Sequence, residues 1–162
     1  MKKILYITVA LASVSHISNP YDLNATELCT TNIDISDTIS MNGQIDSRDE
    51  LIQAMIWVES RGIDSAYNET EGAVGCLQIR PIMISELNRL CEKFGYSERW
   101  VHTDAWDREK SIRMFEVWTD ICGTDSLYEK SARNWNGGPY GYTKTATVGY
   151  WSKCKTYAEE NL

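Results

Sequence analysis

Ile52, Met55, Ile56 and Glu59 fall at i, i+3, i+4 and i+7, so a helix through them carries Glu59 on an apolar face. A carboxyl among apolar neighbours is costly to ionise, which raises its pKa towards the range a general acid needs. Such an acid can protonate a glycosidic oxygen as its bond to the sugar carbon breaks. The competing reading is a glutamate at the edge of the stripe, reaching water or pairing with Arg61 or Arg80. Three more acids, Asp64, Glu69 and Glu71, follow in the next loop and are the candidates for a second carboxylate. Metal chemistry has little to draw on. The five cysteines (Cys29, Cys76, Cys91, Cys122 and Cys154) form no CxxC pair, and His16 and His102 are the only histidines. No metal and no cofactor is expected. The cysteines read as buried thiols, and their odd number leaves at least one outside any disulfide.

Helices must position these groups. Ser47-Arg48-Asp49-Glu50 is a capping box that opens a helix through Leu51, Ile52, Met55, Ile56 and Val58, with Gly62 at its stop. A second helix starts near Pro81, with Ile84, Leu87, Cys91 and Phe94 on one face and Gly95 after it. A third spans about 107–122, turning Ile112, Phe115, Trp118 and Ile121 inward before Gly123. The fourth carries Leu127, Tyr128, Ala132 and Trp135 into Asn136-Gly137-Gly138-Pro139. The last runs over about 147–159, with Val148, Trp151 and Cys154 on one face. Only 74–79 reads as a strand. The pattern predicts a mainly α, compact helical domain with at most a small β element.

Four blocks occur in order: Glu59-Ser60; Gly72-Ala73-Val74-Gly75-Cys76-Leu77-Gln78-Ile79; Trp135-Asn136-Gly137-Gly138-Pro139; and Thr147-Val148-Gly149-Tyr150-Trp151. Together they resemble the soluble lytic transglycosylase family, relatives of goose-type lysozyme. The family pattern is Glu-Ser, Gly-Ala-x-Gly-Leu-Met-Gln-Ile, Tyr-Asn-Ala-Gly and Thr-x-x-Tyr-Val, and the likeness covers about 47–157. Departures are Cys76-Leu77 for Leu-Met, Trp135 for Tyr with a sugar-stacking face kept, Asn68 where a serine is common, and Ala146 for an acid. The segment from Ser60 to Glu71 is one residue longer than usual.

The resemblance implies an α+β lysozyme-like fold with Glu59 as the catalytic acid/base. Ser60, Gln78, Asn136 and Tyr150 would bind substrate, and Gly72 and Gly75 would allow close backbone approach. It implies peptidoglycan glycan strands as partner, cut between N-acetylmuramic acid and N-acetylglucosamine with 1,6-anhydro ring closure. A secretion, conjugation or phage assembly would be the setting. The alternatives are a hydrolytic lysozyme using a loop acid, and a non-catalytic wall-binding or virion structural protein.

At 162 residues there is room for one domain and a short appendage. Met1-Lys2-Lys3 and the apolar run 4–12 read as a signal peptide over 1–15, too short for a membrane-spanning helix, followed by a polar leader over 16–46 and the domain over 47–162. An exported location is expected, with a virion-associated one as the alternative. The net charge of −7 argues against nucleic acid as a partner. It also gives no long-range attraction to an anionic wall polymer.

Overall fold

The computed structural model describes residues 45–124 and 126–162; the expected signal peptide and nearly all of the leader lie outside them. The described residues form five α-helices and one two-stranded hairpin, so they are mainly helical with a small β element, as the periodicity predicts. Ser47 caps α1 (Arg48–Ser60) by accepting from the Glu50 N–H at 3.1 Å. The Glu50 carboxylate reaches back one residue further than a capping box requires, to the Asp46 N–H. Ile45, ahead of the cap, is already core at 2% exposure.

Hairpin strands β1 (Tyr67–Asn68) and β2 (Ala73–Val74) pair antiparallel, Tyr67 opposite Val74 and Asn68 opposite Ala73. The expected strand over 74–79 is instead a turn closed on itself, with Val74 and Ile79 exchanging both backbone hydrogen bonds. Then come α2 (Pro81–Phe94), a 3-10 turn over His102–Trp106, α3 (Arg108–Cys122), α4 (Tyr128–Gly137) and α5 (Val148–Asn161). Two short 3-10 turns, Gly141–Thr143 and Thr145–Thr147, link the last two helices.

α1 packs chiefly on α5 and also touches α4, while α2 lies against α3. Leu51, Met55, Leu77, Met114, Phe115 and Cys154 are among the side chains closed off in the shared core. Cys76, Cys91 and Cys154 are buried thiols. Three expected facings differ. Phe94 sits in the last turn of α2, past the core, and is 42% exposed, Leu90 taking the inward place. On α5 the buried stripe runs Tyr150, Cys154, Ala158, which carries Val148 round to solvent. On α3, Met114 and Val117 are fully buried while Ile112, Trp118 and Ile121 are only partly so. That helix meets both α2 and the 102–106 turn, which widens its inward face. Among the described residues no helix is long and apolar enough to cross a membrane.

Candidate active site

Glu59 is the penultimate residue of α1, and the chain leaves the helix immediately beyond it through Arg61 in a left-handed conformation. Arg108 at the start of α3 fixes that exit, bonding the Gly62 carbonyl at 2.7 Å and the Asp64 carboxylate at 2.8 Å. A cavity of about 200 Å³ opens beside Glu59, lined on one side by the hairpin and α2 and on the other by the end of α4. Its lining includes Glu59, Asn68, Glu71, Gln78, Arg80 and Asn136.

The hairpin wall is held by close backbone approach. A β-carbon on Gly75 would overlap the Ala105 carbonyl, and its φ of +78° is one that other residues rarely adopt. Gln78 also takes a positive φ, of 47°. Its side-chain amide donates to the carbonyls of Gly75 at 2.9 Å and Ala66 at 3.2 Å, so the N–H groups clasp the hairpin. Asn68 shapes the turn in the same way, its side-chain oxygen accepting from the Thr70 N–H at 3.1 Å.

The opposite wall rests on Arg133, which is 8% exposed. It donates to Thr147 Oγ1, the Lys144 carbonyl and the Glu129 carboxylate, tying α4 to the turns that lead into α5. Tyr150, in the first turn of α5, adjoins Glu59.

Electrostatically Glu59 stands apart. Burial pushes its pKa up to about 7. The Tyr150 hydroxyl and the Arg80 guanidinium pull it back, while the charge of Glu71 adds to the rise. Tyr150 exerts this pull without a hydrogen bond of standard geometry, and its buried hydroxyl also interacts with the Cys154 thiol. Burial and the nearby Glu59 raise the tyrosine well above its usual value. The Cys154 thiol beside it is pushed up to about 12, chiefly by burial, and is a poor nucleophile at neutral pH.

The expected site residues are therefore brought together in part. Glu59, Gln78 and Asn136 line one cavity, and Tyr150 adjoins Glu59. Ser60 does not line it: the side chain is buried and its hydroxyl returns to the Ile56 carbonyl at 3.0 Å, as helix-terminal serines do. Trp135 borders the cavity but is 5% exposed, with the rings of Phe115 and Trp118 packed against it, so it offers no sugar-stacking face. Of the three loop acids, only Glu71 reaches the cavity wall. Asp64 is held by Arg108, and Glu69 is exposed outside the lining. Arg80, considered from sequence only as an ion-pair partner, is the cation of this cavity. Among the described residues no group of three His, Cys, Asp or Glu is placed to hold a metal ion. Compared with family models, curated proteins and solved structures, the chain matches none.

Proposed function

We propose that the protein is a peptidoglycan lytic transglycosylase, with Glu59 as its single acid/base. The observation that carries this reading is a glutamate raised to about 7 by burial at the edge of an open cavity. Near neutral pH such a group is present in both protonation states, as a residue that first donates and then accepts a proton requires. Protonated Glu59 gives its proton to the bridging oxygen between N-acetylmuramic acid and N-acetylglucosamine. The 2-acetamido group of the muramic acid stabilises the cation-like carbon that results. Ionised Glu59 then removes the proton of the sugar's 6-hydroxyl, whose oxygen closes the 1,6-anhydro ring. Ring geometry holds that hydroxyl next to the reacting carbon, which favours it over free water. The residue order described above supports the substrate class, and export would bring the enzyme to it.

Glu71 favours a second reading, hydrolysis, because it borders the same cavity as Glu59. In that case it would activate a water molecule. Mass spectrometry of digested peptidoglycan separates the two. Muropeptides lighter by one water, ending in 1,6-anhydromuramic acid, are the expected main product. Reducing-end muramic acid as the main product would replace transglycosylation by hydrolysis.

A further inference from the structure

Arg80 is the one arginine among the described residues whose guanidinium engages no hydrogen bond, ion pair or aromatic ring. Elsewhere Arg108 holds Asp64, Arg113 holds Glu98, Arg133 holds Glu129 and Arg61 lies over the Trp57 ring. Arg80 instead lines the cavity and acts on Glu59 through space. It precedes Pro81 at the start of α2, where no acid occupies the first turn and no side chain caps the helix. The partial positive charge of the helix end therefore adds to that of the guanidinium.

An unpaired cation beside a general acid works against it, since it favours the ionised form. That disadvantage is removed when an anion from the substrate occupies the cation. We infer that Arg80 recognises substrate, its guanidinium receiving a carboxylate that the glycan strand carries beside the scissile bond. This rests on the peptidoglycan reading and specifies which strands the site takes. A guanidinium meets a carboxylate through two parallel N–H···O bonds, so the contact fixes orientation as well as charge. Glu71 on the same wall opposes any incoming anion, and Tyr150 and Cys154 lie beside Glu59 as neutral groups. Recognition thus comes from the short-range fork of Arg80, in a chain whose net charge of −7 repels anions at long range. Pairing also cancels the pull of Arg80 on Glu59, so a bound anionic strand keeps the acid protonated.

Two carboxylates on such strands fit. Peptide-free strands expose the lactyl carboxylate of muramic acid, while peptide-bearing strands have that group as an amide and carry carboxylates on the stem. The test uses the full chain, Arg80→Gln and Arg80→Lys on three substrates: peptide-free strands, peptide-bearing strands, and peptide-free strands with the lactyl carboxyl methyl-esterified. Arg80→Gln should lower kcat/KM about ten- to hundredfold on at least one carboxylate substrate, mostly through KM. Arg80→Lys should recover part of that loss. On esterified strands, wild type and Arg80→Gln should cleave alike. A loss greater on peptide-free strands assigns the lactyl group, and one greater on peptide-bearing strands assigns the stem. Both variants should melt with the wild type, because the side chain holds nothing in place. An active wild type matched within about twofold by Arg80→Gln on every substrate overturns the inference and leaves the proposed function standing. Equal loss on esterified strands overturns it as well. A wild type that cleaves no strand removes the proposed function and this inference together.

Discussion

Glu59 and Glu71 border one cavity and differ in how far each is withdrawn from water. Glu59 projects from a long helix whose neighbouring positions are core, and burial raises its pKa to about 7. Glu71 sits at the turn of a two-residue-per-strand hairpin and is exposed. One wall of the cavity withholds water from its carboxyl, and the other leaves its carboxyl in water. Two glutamates twelve residues apart in sequence thus acquire different surroundings from their supports, not from their residue type.

The largest effect should come from disturbing the hairpin support. Gly75→Ala would drive a methyl group into the Ala105 carbonyl, so thermal denaturation should show a loss of at least about 3 kcal/mol. A melting curve unchanged from wild type would mean that the hairpin wall is not held by that approach. Glu59→Gln sharpens the other side. The folded protein retains the Glu59 proton up to about pH 7, whereas the unfolded chain releases it near 4.5. The stability this residue contributes is therefore fully present below about pH 4.5 and declines as the pH rises through about 7. Denaturant titrations should show Glu59→Gln gaining on wild type by up to about 3 kcal/mol between pH 4.5 and 8. A constant difference across that range would show that Glu59 is not raised.

Smaller changes test the neighbours. Glu71→Gln removes a like charge, so the alkaline limb of the activity profile should move down in pH. The maximal rate should stay within about threefold, whereas a loss of ~10² would make Glu71 the base for water. Tyr150→Phe should shift that limb the opposite way, because the hydroxyl lowers the Glu59 pKa. It should cost under about 1 kcal/mol, since the hydroxyl has no hydrogen bond of standard geometry to lose.

Three helices were legible from their own end signals: Ser47 before α1, Pro81 opening α2 and Gly123 closing α3. The apolar setting of Glu59 followed from the same local period. Facings were harder wherever more than one partner covers a helix, as on α3, or where a helix end leaves the core, as at Phe94. The hairpin has no legible period at two residues per strand. Its form depends on the Gln78 clasp and the Gly75 approach, which join positions 66, 75 and 105. Glu71 and Arg80 reach the cavity through that fold-back, which separates them from Asp64, Glu69 and Arg61, the other candidates the sequence offered beside Glu59. Trp135 is a different case. Its place in the block of residues was plain, but Phe115 and Trp118 come from another helix and bury it.

The most direct measurement is the activity of purified Glu59→Gln against isolated peptidoglycan, alongside a wild type matched for folding by circular dichroism. Gln is close in shape but has no acidic proton to give, so a folded variant with a rate at least ~10² lower is expected. A Glu59→Gln protein that clears peptidoglycan at the wild-type rate would contradict the assignment of Glu59 as the acid.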